Sequence, residues 1–315
     1  MSPSIARSAL AAALVLAAAP VLAETRMEKT LKLESGGSFR LDTDLGSVTV
    51  TGRPGSDVHL VVTSRHELDD LLSFKFDEES KSVTVTARRK HRMSNWFGDG
   101  GGRVHYEIEV PADTATDIKT SGGGISIQGL RSGAKLDTSG GGIKVHDLAG
   151  DLQADTSGGS IDLADIKGRM RVQTSGGGIE GRSLDGALDA DTSGGSIDLD
   201  RVSGDVKCSS SGGGIHIREA GGRVDAETSG GGIETSFAKG NARGGSLETS
   251  GGGIEVSLDP SAGFDIDAEG NYVKTDLPVK VVGEISRHSL RGTLGAGGAK
   301  LRLRTSGGGV TIRSL

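Results

Sequence analysis

Cysteine occurs once in this chain of 315 residues, at position 208, so no disulfide can form within it. Packing and hydrogen bonding must hold the fold together, whatever the redox compartment. Aromatic residues amount to only 3%, and none lies between Thr120 and Ser236. That stretch lacks the ring platforms on which sugar-binding surfaces are usually built. Past residue 23 there is no run of about 18 uninterrupted apolar residues, the length a membrane helix needs, and no cysteine close behind the leader to carry a lipid. Membrane spans and lipid anchors are therefore not expected. Nor does any long helical periodicity occur; His66 to Leu72 would form at most a short turn. The 53 glycines lack the three-residue period of collagen and alternate with regularly placed Ile, Leu and Val, which argues against a flexible chain.

The N-terminus reads as an export leader. Arg7, the apolar run Ala9 to Val21 and the small-residue end at Val21-Leu22-Ala23 make a secretory signal peptide cleaved after Ala23. The mature chain is then expected to be exported and soluble, in the periplasm, outside the cell or on its surface. Losing Arg7 takes the net charge from -6 to -7, divided as -3 over residues 24–119, -6 over 120–256 and +2 over 257–315. This mild acidity argues against nucleic acid as a partner.

What the chain has in abundance is one motif, TSGGGI, first met at Thr120 to Ile125. Its serines fall at 121, 139, 157, 175, 193, 211 and 229, each 18 residues after the last; Ser250 follows after 21, and Ser306 after 56. Ser35 to Phe39 and Gly46 to Val48 look like worn copies. A fixed period of this size signals stacked repeats. Within each period two short alternating strands can be written, with inward columns such as Ile143, Val145, Leu148, Leu152 and Ala154, repeated as Ile161, Leu163, Ile166, Met170 and Val172. Cys208 falls in the Ala154 and Val172 column, which makes it a core residue. The expected architecture is an all-β, right-handed parallel β-solenoid with 18-residue coils.

The flanks are less regular, and an open solenoid end needs a cover. Residues 24–119 read as an N-terminal β-rich capping region with strands near Thr30–Leu33, Phe39–Leu41, Val48–Thr51, Val58–Thr63, Phe74–Phe76, Val83–Ala87 and Val104–Val110. Residues 120–256 are the regular repeats, and 257–315 irregular C-terminal coils and cap. The motif glycines are expected at coil corners, where positive φ and a missing Cβ are both useful. The threonine column from Thr120 to Thr228 is expected to hydrogen-bond from coil to coil, while each motif serine caps its turn through its own hydroxyl.

The run Tyr106 to Ile127 (YEIEVPADTATDIKTSGGGISI), together with the closing RLRTSGGGVTI, resembles the bacterial putative adhesin family with β-strand repeats, a domain of unknown function. The similarity covers most of the mature chain from about Val48 onward. It implies a β-solenoid in an exported or envelope-facing setting and a binding role. It carries over no catalytic residue.

Chemistry has few footholds. The outward column after each motif isoleucine runs Ser126, Lys144, Asp162, Glu180, Asp198, His216 and Glu234. Three successive carboxylates one coil apart, Asp162, Glu180 and Asp198, would suit a cation, a cationic partner or a retaining glycosidase, but a flat wall without long loops makes no cleft. A solvated face is the plainer reading. The calcium-binding GGxGxDxUx repeat is not matched, and the seven histidines show no metal-ligand spacing. No cofactor or metal is implied. Asp151 with Arg169, and Asp205 with Arg223, are expected to form surface ion pairs one coil apart. One stretch departs from the scaffold, Arg88 to Phe97 (RRKHRMSNWF). Its Arg88, Arg89, Arg92, Trp96 and Phe97 could touch a partner, or the loop could simply pack on the cap. The reading favoured is a non-catalytic exported envelope or surface scaffold whose partner is a protein or another envelope component. An envelope-stress or signalling role is the alternative, and a polysaccharide-active β-helix enzyme is less favoured.

Overall fold

The computed structural model describes residues 25–90, 104–282 and 286–315. Among these there are 29 strands and one helical turn, Leu68–Leu71, where the sequence allows only a short turn. The strands form two long sheets of 14 and 15 members, and between Ala115 and Leu258 all the pairings are parallel. This is the expected parallel solenoid. Each coil contributes one strand to each sheet: a strand ending in the motif threonine, then the glycine corner, then a strand opening on the motif isoleucine. We call the 15-stranded layer the Thr sheet and the other the Ile sheet.

Register follows the repeat without slippage from Ile125 to Ile217: Ile143 lies beside Ile161, Thr138 beside Thr156, Cys208 beside Ala226. The predicted inward columns are all buried, and the core runs as one cluster between the sheets. Alternation alone would not bury both Val145 and Leu148, three residues apart. A kink at Asp147 shifts the phase, with φ at 51°, and Asp165, Ser183, Arg201 and Glu219 repeat it at 53–57°. Two residues that are exposed or half-buried then precede each buried Leu, Ile or Val.

The corners differ from expectation in mechanism. Of the motif glycines from Gly122 onward none carries a positive φ, although Gly36 and Gly46 of the worn copies do. Their requirement is close approach. A Cβ on the second motif glycine would lie 2.1 Å from the preceding coil's carbonyl oxygen at Gly177, Gly195 and Gly213, and 2.3 Å from backbone at Gly159, Gly252 and Gly308. At the third position the nearest backbone is 3.0–3.3 Å away for Gly142, Gly178 and Gly214, and serine stands there in two coils, as Ser160 and Ser196. The sequence reading passed over a second glycine column at the opposite corner, Gly150, Gly168, Gly186, Gly204 and Gly222, where a Cβ would meet the neighbouring coil at 2.0–2.5 Å.

The threonine hydroxyls do bond between coils, but to backbone. Thr192 Oγ1 donates to Gly177 O of the preceding coil at 2.8 Å and accepts from Gly195 N of its own corner at 3.2 Å, and the same pair recurs at Thr156, Thr174, Thr228 and Thr249. The capping hydroxyl is thus the buried threonine's, and the motif serines lie exposed. Thr192→Val keeps the shape and leaves both backbone groups unpaired, at an expected cost of about 1–3 kcal/mol. Thr192→Ser should cost less, because Ser210 makes both bonds at 3.0 Å. Guanidinium denaturation of the two variants measures the difference.

Both ends depart from sequence order. The coil Ser38–Arg53 is wedged between the coil Ser82–Pro111 and the coil that begins at Ala115. Likewise Ala299–Ser314 lies between the coil ending at Leu258 and the strand Phe264–Glu269. The 56-residue gap before Ser306 is therefore an excursion: its corner stacks directly on that of Ser250, with Ser306 N donating to Thr249 O at 3.3 Å. The 21-residue interval is taken up by Asn241, whose buried side chain donates to Ala220 O and Gly222 O. Antiparallel strands cover both ends, Thr25–Lys32 with Asp57–Ser64 and Leu72–Glu79 at one, Lys280–Val281 with Ser289–Leu294 at the other.

Candidate functional site

The outer face of the Ile sheet places the candidate acidic column as its spacing requires. Lys144, Asp162, Glu180, Asp198, His216 and Glu234 are successive register partners. The row is not uniformly acidic in its contacts. Lys144 Nζ lies 3.7 Å from Asp162, and His216 Nδ1 lies 3.0 Å from Asp198. Glu180 is held between two carboxylates along the row. Beside it the next outward column brings Arg182, Asp200 and Arg218, and these with Glu180, Asp198 and His216 line a shallow open depression.

Serine, aspartate and histidine meet here, which invites a test for nucleophilic chemistry. Ser196 Oγ donates to Asp198 Oδ2 at 2.8 Å, and the imidazole of His216 bonds the other oxygen of the same carboxylate. The hydroxyl thus faces an acid anion, and the imidazole does not reach it. A base that takes the serine proton is the step a triad needs, and this order of contacts does not supply it. Among the described residues no group of three or more His, Cys, Asp and Glu side chains is placed to hold a metal ion.

The Thr sheet bears a second outward column that the sequence reading missed: Lys119, Asp137, Asp155, Gln173, Asp191, Ser209, Glu227, Glu248 and Arg304. Its signal was available as the residue immediately before each motif threonine. A cation stands near each end, Lys119 at 3.4 Å from Asp137 and Arg304 against Glu269, and the register runs on to Asp42 and Glu269 beyond them. The adjoining column alternates in sign, with Arg171 at 3.2 Å from Asp189 and Arg40 against Asp117.

The basic stretch divides. Arg88 spends its guanidinium on Asp42 and, at 3.0 Å, on Asp44. Its hydrogen bond holds the Asp42 carboxyl below the usual range. Arg88 is thus a clasp across the outermost coils. Arg89 keeps an exposed side chain while its N–H donates to Asp44 at 3.1 Å. Arg92, Trp96 and Phe97 lie outside the described residues, as do residues 1–23, where a leader is expected. In chain order their segment joins Ser82–Arg89 to His105–Pro111, the step that later coils make with the glycine corner.

Two expected ion pairs take another form. Asp151 and Asp205 accept the backbone N–H of Arg169 and Arg223, each at 2.9 Å. The Arg223 guanidinium turns instead to Asp225, at 2.7 Å. These carboxylates terminate ladder donors at the second corner, where the glycine column brings the backbones closest.

Cys208 is buried at 1% exposure, and burial pushes its thiol well above the ordinary range. Native protein at pH 8 should therefore resist a thiol reagent and react only on unfolding, which makes the labelling rate a reporter of coil opening. Fast labelling under native conditions would contradict that burial.

Among the described residues no helix is long and apolar enough to cross a membrane. A family model described as Toastrack DUF4097 matches residues 39–313. No curated protein matches the chain. Among solved structures, it is similar to a putative adhesin from Bacteroides fragilis (14% identity, 92% of this chain and 97% of that one, TM-score 0.42). A putative adhesin from Parabacteroides distasonis matches at 12% identity over 92% and 97%, with TM-score 0.38. A putative lipid binding protein from the same organism matches at 11% over 92% and 96%, with TM-score 0.34.

Proposed function

The chain belongs to the Toastrack DUF4097 family, and from that premise we propose that it is a non-catalytic exported scaffold, adhesin-like in presenting a rigid surface to a protein or other cell-envelope component. The observation that carries this reading is the outer face of the Ile sheet, where Asp162, Glu180 and Asp198 stand in one register row flanked by Lys144 and His216. Parallel ladders fix the spacing of such a row at about 4.8 Å per coil, so the charges form a template without further ordering cost on binding. The depression there is open and polar, which suits recognition at a surface better than water exclusion around a reacting bond. Export rests on the residue pattern of Arg7 to Ala23. Arg89, Arg92, Trp96 and Phe97 are proposed as a second contact.

A pull-down from envelope extracts tests this. Wild type should retain a specific component that is lost from an Asp162→Lys, Glu180→Lys, Asp198→Lys variant, and Trp96→Ala reports on the second contact. Equal recovery by all variants would sink the reading. Sugar-polymer cleavage that disappears in Glu180→Gln would overturn the non-catalytic part.

A further inference from the structure

Charge is distributed unevenly across the width of the rod. Two columns flank the motif corner, one on each sheet, and both are acidic. On the Thr sheet Asp137, Asp155, Asp191, Glu227 and Glu248 stand just before the corner. On the Ile sheet Asp162, Glu180, Asp198, Glu234 and Glu255 stand just after it. Over that span Lys144 is the single lysine or arginine in either column, and between the columns the corner exposes only serine and glycine. Residues 120–256 hold 19 carboxylates and 13 lysines and arginines. With ten carboxylates and one lysine at the motif corner, nine and twelve remain for all other positions. The motif side therefore carries -9 and the rest of the coil +3, within a segment of -6.

The surplus cations gather at the opposite corner. Over residues 131–135, 149–153 and 167–171, three successive coils, Arg131, Lys135, Lys167, Arg169 and Arg171 face one carboxylate, Asp151. All five side chains are exposed, and Asp151 already accepts the Arg169 N–H at 2.9 Å. Arg171 pairs with Asp189 at 3.2 Å. The other four have no ion pair among the described residues. On the motif side Asp155, Glu180, Asp191, Glu227, Glu234 and Glu248 likewise have no cation within the chain, among the described residues. The rod thus has an acidic edge and a basic patch on the edge facing away from it, each with charges its own fold leaves unmatched.

We propose that copies of this chain associate side by side, the acidic motif corner of one against the basic second corner of the next. A second copy fits this edge in two respects. Its charge is complementary, and its spacing is the same about 4.8 Å per coil, so rows that match at one coil match at the following ones. With nothing larger than serine on the motif corner, lysine and arginine chains of a neighbour reach the columns on both of its shoulders. Eight coils and two layers about 10 Å apart give an edge of roughly 700–800 Å², near the area each partner contributes to a standard interface. Because the two edges differ, the contact is head-to-tail and leaves a free edge on each side, so it extends into a flat row of parallel rods. Asp162, Glu180 and Asp198 are shared with the reading above, but the partner is not. Purified protein tests this contact and envelope extract tests that one, so either can fail alone.

Sedimentation velocity of the purified mature chain measures the contact. At about 0.1 M salt, where charges about 10 Å apart still interact, association should rise with concentration, and at about 0.5 M it should largely disappear. A basic-side variant, Arg131→Glu with Lys135→Glu and Lys167→Glu, should weaken it at least about tenfold. An acidic-side variant, Asp155→Lys with Glu180→Lys and Asp191→Lys, should do the same. All six positions lie on the surface, and unchanged circular dichroism and melting confirm that both variants fold. Mixed one to one, the two should associate again, since each keeps the edge that the other has lost. Lys32→Glu with Lys81→Glu, away from both edges, should leave association as it is. A chain that stays monomeric up to about 1 mM, association indifferent to salt, or a mixture of the two variants that remains monomeric overturns the proposal.

Discussion

Gly177→Val should be among the most damaging single substitutions in the chain, while Gly178→Ser, one residue further on, should be close to neutral. A Cβ at 177 would lie 2.1 Å from Gly159 O, 2.4 Å from Gly159 C and 2.6 Å from Ser160 N. All three are backbone of the preceding coil, so no side-chain rotation relieves the contact. The coils must separate locally, and Thr192 Oγ1 then loses its acceptor, Gly177 O, as that carbonyl moves. Overpacking of this kind costs about 3 kcal/mol, and the lost hydrogen bond adds about 1 more. At 178 the nearest atom is Ser196 O at 3.2 Å, and serine already fills the corresponding place at 160 and 196. Guanidinium unfolding followed by circular dichroism compares the two. Equal midpoints would mean that the corner is governed by backbone conformation and not by close approach.

That contrast marks how far the sequence could be read. The 18-residue period dictates register, and register dictates which side chains share a column, so the buried identities of Ile143, Val145, Leu148 and Cys208 followed from counting. Which glycine of each motif is indispensable did not follow, because all three look alike until the neighbouring backbone is placed. The kink at Asp147 and its repeats was hidden for another reason: Arg201 and Glu219 are not residues that announce a positive φ. For the candidate site, spacing was enough to align Asp162, Glu180 and Asp198. It could not show that Ser196 and His216 take opposite oxygens of one carboxylate, since that depends on rotamers. The acidic column of the Thr sheet is equally periodic, but it is interrupted by Gln173 and Ser209, which breaks its charge pattern along the chain.

The wedged ends were the least legible feature, since nothing local says that a strand at 299 pairs beside one at 245. They also yield the second large prediction. Removing residues 299–315 should be far more damaging than deleting Ser139 to Thr156, a segment of similar length. The internal deletion joins Thr138 to Ser157 in the motif's own register, so Ile125 meets Ile161, and the second motif glycine at 159 stacks above that at 123 as others do above theirs. A stacked array then loses one coil and one interface and keeps its ends. Loss of 299–315 takes Leu301, Leu303, Val310 and Ile312 out of the core, all buried at 0% exposure. At about 1.5–3 kcal/mol each, that is roughly 6–12 kcal/mol of burial. It also opens a slot one coil wide, bared on one side along Gly245–Thr249 and Ile254–Leu258 and on the other along Phe264–Glu269. The outer coil loses its own ties with the segment, because Asp276 N–H donates to Ile312 O and its carboxylate accepts from Ser314 N–H. Unpaired parallel edges of that length invite association. Thermal melting with analytical ultracentrifugation should find the coil-deleted chain monomeric, cooperative and only a few degrees less stable, and the truncated chain aggregated or melted at its C-terminal end. A soluble, cooperatively melting truncated monomer would mean that the outer coil re-docks, and that the last coil is an added layer and not the wedge that locks the end.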